Sequence, residues 1–320
     1  MSKLDILYQF DNNYAAFAGI SMTTLLENNK DVEELTVYAA AVGVAEENVR
    51  KLEALFTQYS RKLIFLNTQN IYQRLEQLGA GGWNGSLATW MKMFIMDEVP
   101  DSVQQLLYLD SDTLIPGSLL ELAQLDLGEY PVAAVIDSIS PRSSERLGLA
   151  CPYCNAGVIY FNLKYWREHG IQQAMLAHLD KNIARYPVND QDLLNDYFRE
   201  GILHLEPKFN FQGIHFVYRD DAYFPILRWP AGRYYSPEQI ARTRRDVRII
   251  HFFRFCGEYP WQPGNVHPCK ALYEAARDNS LWKEFRYRKK PVKMIYRLER
   301  LLYKLLPQKL FLRLHLRVSN

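Results

Sequence analysis

The 320-residue sequence predicts an α/β protein built on a central sheet with helices on both faces. Three observations lead there. Short apolar runs alternate with longer stretches of helical spacing, several of those runs end abruptly in acidic or amide residues, and 48% apolar with 13% aromatic residues can fill a sizeable core. Ligands of such sheets sit beyond the carboxyl ends of the strands.

Residues 4–10 are a short apolar strand that gives way to Asp11-Asn12-Asn13. Residues 14–26 have helical spacing and close on Glu27-Asn28-Asn29-Lys30, a turn. Residues 35–42 read as a second strand, 46–59 as an amphipathic helix and 63–66 as a third strand. After a glycine-rich stretch (Gly79, Gly81, Gly82, Gly85), residues 87–97 return to helix and 105–109 form a buried strand that delivers Asp110 and Asp112 at its end. Strands are expected at 132–136, 158–161 and 247–253, and helices at 166–179 and 192–198. The domain reading is one large α/β unit over residues 1–265 and a helical, basic extension over 266–320.

Charge is divided unevenly. Residues 283–320 hold twelve Lys/Arg against two Glu, a net of +10, so the first 282 residues carry −8 of a chain whose total is +2. Within that tail Val292, Ile295, Leu298, Leu302 and Leu305 recur at helical spacing, opposite Arg288, Lys289, Lys293, Arg297, Arg300 and Lys304. A basic amphipathic helix suits the interface of an anionic membrane, each basic residue adding roughly 1 kcal/mol there. Beyond Pro307 the leucine spacing fits either strand or helix. No signal peptide and no run of 18 apolar residues stands out, so the expected location is the cytoplasm, at the inner face of the membrane. Nucleic acid is not expected as a partner, because the body of the chain is acidic.

Cys151-Pro152-Tyr153-Cys154 has the spacing of a redox or zinc site, with Cys256 and Cys269 as further sulfurs. The pair leads into the apolar run 158–161 rather than opening a helix, and the other two cysteines are not a close pair. Reduced thiols in and around a core are the expectation.

Two aspartates at i and i+2 at the end of an apolar strand place their carboxylates on the same side and can share one divalent cation. A metal held this way, Mn²⁺ or Mg²⁺, keeps positions for substrate phosphate and stabilises a departing diphosphate. The alternative is a solvated acidic turn.

The chain resembles glycosyltransferase family eight, the glycogenin and bacterial lipooligosaccharide galactosyltransferase family. The resemblance rests on five blocks in the family's order: L-Y-Q-F-D-N-N-Y over residues 7–14, L-Y-L-D-S-D-T-L-I over 107–115, N-A-G-V-I-Y-F-N-L-K-Y-W over 155–166, N-D-Q-D-L-L-N over 189–195 and H-F-F-R-F-C-G-E-Y-P-W over 251–261. It implies a GT-A type, Rossmann-like fold with a mixed central sheet, a UDP-sugar donor and transfer with retention of anomeric configuration. It also implies that His251 is a third metal ligand beside Asp110 and Asp112, and that Asp11, Asn13, Tyr14, Lys92, Asp110, Asn155 and Gly257 bind the donor. Asp137, Asp190 and Gln191 surround the transferred hexose, with the Gln191 amide oxygen under the anomeric carbon. Asp11 could instead cap a helix, His251 could be a core histidine, and Asp192 suits the opening of a helix.

Three departures from the family pattern stand out. Residues are inserted around Arg254 and Phe255, Tyr259 replaces a lysine that contacts diphosphate, and Lys92 replaces an arginine. Arg254 is the candidate substitute cation. The resulting expectation is a hexosyltransferase moving galactose or glucose from a UDP-sugar to a saccharide acceptor, a lipid-linked surface glycan such as lipooligosaccharide. A metal-dependent nucleotidyltransferase and a non-catalytic protein acting through its basic tail are the rival readings. The first lacks a basic glycine-rich loop in residues 11–19.

Overall fold

The computed structural model describes residues 2–79, 87–139, 141–262, 265–287 and 293–319. Most of the glycine-rich stretch (80–86), and Arg288, Lys289 and Val292 of the tail, lie outside the described residues.

Ten strands are present: β1 (Lys3–Asp11), β2 (Glu34–Val42), β3 (Lys62–Phe65), β4 (Gln105–Leu109), β5 (Thr113–Leu114), β6 (Val132–Ile136), β7 (Cys154–Asn162), β8 (Ile202–His204), β9 (Phe211–Gln212) and β10 (Ile250–His251), all among the described residues. Seven form the main sheet in the order β3-β2-β1-β4-β7-β6-β8. Only β7 runs against its neighbours β4 and β6, so the sheet is mixed. β1 sits near the middle with residues 4–10 all buried, which is why its sequence reads as a continuous apolar run rather than an alternation. Helices cover both faces, giving one core that includes Phe17, Ile20, Leu52 and Phe252, and a second that includes Met91, Phe94, Trp166 and Leu194.

A small second sheet, β5-β10-β9, shapes the site. β10 lies antiparallel to β5, with His251 opposite Thr113, and parallel to β9, with His251 opposite Gln212. The late strand expected over 247–253 is thus only two residues long and stands outside the main sheet. Pairing with β5 brings it beside the Asp110–Asp112 turn.

Two helical expectations need correction. The helix expected over 87–97 is regular only over Ala88–Met91, followed by turns and a short 3-10 segment at Met96–Glu98. Met91, Met93, Phe94, Ile95 and Met96 are all buried, which one continuous helix face could not achieve, and the break directs Lys92 inward. The helix expected over 166–179 is two helices, Leu163–Glu168 and Ile171–Asn182, divided at Gly170, whose φ of +59° a helix interior does not adopt. The helix Gln69–Gln77 was not anticipated at all.

The chain after residue 265 is joined to the body. Cys269, Tyr273 and Trp282 belong to the main core, and Gly19 lacks a side chain where the Trp282 ring lies against its helix. The tail then forms a helical hairpin, Met294–Leu305 and Gln308–Ser319, which resolves the ambiguity beyond Pro307 in favour of helix. No helix among the described residues is long and apolar enough to cross a membrane. All four cysteines are buried free thiols, as expected for core residues.

Candidate active site

The carboxyl ends of β1 and β4 open into a cleft of about 1430 Å³. Every site residue expected from the sequence lines it: Asp11, Asn13, Tyr14, Lys92, Asp110, Asp112, Asp137, Asn155, Asp190, Gln191, His251 and Gly257.

At its centre, ligand atoms of Asp110, Asp112 and His251 lie within 4.8 Å of one another. Strand alternation is not what aligns the two aspartates: β4 ends at Leu109, and Asp110-Ser111-Asp112 form a turn. Backbone bonds hold that turn, from the Asp110 N–H to the Gly157 carbonyl (2.8 Å) and from the Phe252 N–H to the Asp112 carbonyl (3.0 Å). His251 points Nε2 at Asp112 Oδ1 (3.3 Å) and Asp110 Oδ2 (3.7 Å). Its Nδ1 faces the amide oxygens of Asn155 and Asn210, both at 3.2 Å. Those oxygens can only accept, so they place the ring proton on Nδ1 and leave the Nε2 lone pair for a metal. Burial lowers the basicity of His251, but Asp112 and then Asp110 outweigh it and hold its pKa above the ordinary value. Positive charge is therefore favoured at this point. Two carboxylates and a correctly turned imidazole fit a divalent cation such as Mn²⁺ or Mg²⁺.

Lys92 closes one side. Its ammonium is 2.8 Å from Asp190, 3.4 Å from Asp110, donates to the Ala156 carbonyl at 2.9 Å and sits 4.5 Å above the Tyr108 ring. Burial opposes its charge, yet the two carboxylates prevail and raise its pKa. Asp190 is pushed up to about 6 by burial, against the pull of Lys92. Lys92 is thus not an ordinary exposed helix lysine, since its side chain is only 3% exposed. Tyr108, near the end of β4, donates its hydroxyl to Asp110 just beyond it.

The neighbouring wall is a network of amides. Gln191 Oε1 accepts from the Ala156 N–H (3.0 Å) and Asn155 Nδ2 (3.1 Å), while Asp137 accepts from Asn155 (3.0 Å), Gln191 (3.3 Å) and the Ile139 N–H (2.8 Å). Burial raises the Asp137 pKa despite those bonds. Each residue fixes the next, so the groups are preorganised rather than loose. Asp192 faces away from the cleft, held by Arg146 (2.5 Å), Tyr153 (2.6 Å) and the Val188 N–H (2.8 Å), an anchoring role.

At the other end, Asp11 Oδ1 accepts from the backbone N–H groups of Asn13 (2.9 Å) and Tyr14 (3.1 Å), steadying the turn into the first helix. That capping leaves Asp11 on the cleft wall. Tyr259 stacks on Trp261 at 4.4 Å, and the Arg254 guanidinium lies 5.4 Å over the Tyr259 ring, with Arg254 itself lining the cleft. Gly257 has a φ of +76° and presses against the Tyr296 ring of the tail hairpin. The hairpin grips the same turn through Arg300, 2.5 Å from Glu258, and through Tyr303, 4.8 Å from Phe255. Gly257→Ala is expected to weaken donor binding about tenfold or more. The new Cβ overlaps the Tyr296 ring, and the left-handed backbone adds about 1–2 kcal/mol. An unchanged KM for donor would contradict this.

Sequence reading missed Asn210, Tyr108 and the tail residues Tyr296, Glu299 and His315, which line the cleft or orient what does. Tyr108 had a signal, because it lies only two residues before Asp110, at the end of the same apolar run. Asn210 had none, as its relevance arises from the pairing of β9 with β10.

Residues 5–263 match the family described as Glycosyl transferase family 8. Among relatives, the lipopolysaccharide 1,3-galactosyltransferase of Salmonella typhimurium is 24% identical over 290 residues, 88% of this chain and 79% of that protein. The lipopolysaccharide 1,2-glucosyltransferase of Escherichia coli K12 is 26% identical over 291 residues, with the same shares. The crystal structure of galactosyltransferase LgtC in complex with donor and acceptor sugar analogs superposes with a TM-score of 0.71 at 24% identity, covering 87% of this chain and 96% of that one. That likeness establishes the GT-A type fold.

Proposed function

This chain belongs to glycosyl transferase family 8, and on that premise we propose that it moves galactose or glucose from a UDP-sugar to a saccharide acceptor with retention of anomeric configuration. The observation that carries the proposal is the convergence of Asp110, Asp112 and His251 Nε2 on one point in the cleft. These three residues would hold Mn²⁺ or Mg²⁺, which would supply positive charge to the diphosphate leaving group.

Asp11, Asn13 and Tyr14 bind the uridine, Gly257 offers close backbone approach to the diphosphate, and Arg254 supplies the cation that the family's lysine would have supplied. Lys92, Asn155, Asp190 and Asp137 orient the hexose through their fixed hydrogen-bonding positions. Gln191 holds its amide oxygen beside the anomeric centre and stabilises positive charge there. The departing diphosphate takes the proton of the incoming hydroxyl, so no separate base is needed. Residues 1–265 form the transferase domain and 266–320 its extension.

The acceptor is a lipid-linked surface glycan, a reading supported by the lipopolysaccharide transferases among the relatives. The hairpin supports it too. Met294, Leu298, Leu301 and Leu305 are exposed along one side of its first helix, together with Arg297 and Lys304. Arg300, expected on that basic face, instead turns inward to Glu258. The outer face rests on an anionic membrane at the cytoplasmic side. Vesicles containing phosphatidylglycerol are expected to sediment the protein and phosphatidylcholine vesicles to leave it in solution. Leu301→Glu with Leu305→Glu should abolish the binding, and equal sedimentation of this variant would refute it.

Incubation with Mn²⁺ and UDP-galactose or UDP-glucose is expected to release UDP, and chelation to stop it. Release of pyrophosphate from a nucleoside triphosphate instead would favour a nucleotidyltransferase. Activity surviving in Asp110→Ala or Asp112→Ala sinks the metal-centred reading.

A further inference from the structure

One end of the cleft is built by the tail hairpin and is not used by the donor chemistry above. Phe255 is its hub, with ring centroids 6.2 Å from Tyr218 and 5.8 Å from His315. His315 Nδ1 is in turn 3.2 Å from Glu299 Oε1. All four residues line the cleft, as does Tyr296. Two of their polar atoms, the Tyr218 hydroxyl and Glu299 Oε2, are buried without a hydrogen-bond partner among the described residues. Tyr218 and Glu299 are 2% and 4% exposed, so bulk water does not solvate them freely. His315 lies between the two orphans, its ring centroid 6.2 Å from that of Tyr218 and its Nδ1 against Glu299, and burial holds the Tyr218 hydroxyl protonated.

An unmet buried polar group costs about 1–3 kcal/mol, and orphans tend to persist where function requires them. Here both lie at the aromatic-walled end of a large cleft. A hydroxyl-rich ring matches this chemistry. Its hydroxyls donate to a carboxylate and accept from a phenol, while its C–H faces pack on aromatic rings.

We propose that Tyr218 and Glu299, walled by Phe255 and Tyr296, form a binding subsite for a sugar unit of the acceptor glycan. The inference rests on the transferase reading above and adds the acceptor's position to it. The geometry also explains why the tail is part of the site: its inner face presents Tyr296 and Glu299 to the cleft, and its outer face carries the exposed Met294, Leu298, Leu301 and Leu305. A glycan on a lipid anchor is thereby received next to the surface from which it projects.

The test uses the full-length protein with Mn²⁺ and UDP-galactose or UDP-glucose, measuring UDP release without acceptor and with lactose or deacylated lipooligosaccharide. Tyr218→Phe and Glu299→Gln are expected to leave acceptor-free hydrolysis and the donor KM within twofold of wild type, and to raise the acceptor KM tenfold or more. Tyr218→Phe removes a single oxygen and keeps the ring packing, so its result does not depend on tolerance of a changed charge. An acceptor KM within twofold of wild type in both variants overturns the subsite, as does a donor KM that rises in step. Wild-type hydrolysis with transfer to none of these glycans also overturns it. Failure of the wild type to release UDP from either donor is a different result, and it defeats the transferase reading itself.

Discussion

Gly157→Ala is expected to reduce UDP-hexose turnover by about 10²-fold or more while leaving the sheet folded. Gly157 lies on β7, and its carbonyl accepts the Asp110 N–H. A Cβ at this position overlaps the His251 imidazole and comes within 2.9 Å of Asp110 Oδ2. Neither group can yield easily. His251 is held from behind by Asn155 and Asn210, and Asp110 by Lys92 and Tyr108. The substitution therefore wedges apart the groups proposed to hold the metal without removing any of them. Calorimetric titration with Mn²⁺ should report weakened binding in parallel with the rate. Wild-type turnover in Gly157→Ala would mean that these three residues need not act together.

Lys92→Met is expected to lower stability by about 3–5 kcal/mol, the cost of leaving a buried charge without its partner. Both ends of the Lys92–Asp190 pair are nearly inaccessible, with side chains 3% and 6% exposed. The ammonium also satisfies the Ala156 carbonyl, and methionine restores none of these contacts. Denaturant unfolding checks the prediction. The double variant Lys92→Met with Asp190→Asn should recover much of the loss, since deleting a whole buried pair is tolerated far better than deleting half. A single variant as stable as wild type would show that the pair is not electrostatically important. Recovery of stability without recovery of turnover would separate the pair's structural role from its proposed role beside the sugar.

The legibility of this chain varied with the range of the interactions involved. Residues 4–10, 35–42 and 105–109 read as strands because each is buried by an arrangement that its own apolar run dictates. The first two helices read equally well, and the observed Ala15–Asn28 and Glu46–Gln58 differ by a few residues at their ends. Residues 87–97 misled for the same reason in reverse. Their unbroken apolarity suits a helix locally, but tertiary packing buries side chains in several directions and breaks the helix at Lys92.

The chemical groups were legible because metal, phosphate and sugar chemistry demand particular residue types in recognisable local strings, and those strings lie at strand ends. By itself the sequence determined the α/β class, the Asp110 and Asp112 pair at a strand's end as a candidate metal site and the division between acidic body and basic tail. Tertiary structure alone decided that His251 turns Nε2 toward the aspartates, that Asn210 enforces its tautomer, and that Arg300 and Glu299 face the cleft turn rather than solvent. Those outcomes depend on pairings between residues from about forty to more than a hundred positions apart, such as His251 with Asn210 and with Thr113, or on which side of a helix meets the body. Local pattern cannot encode them, because the free energy that selects them belongs to contacts that exist only once the chain has closed upon itself.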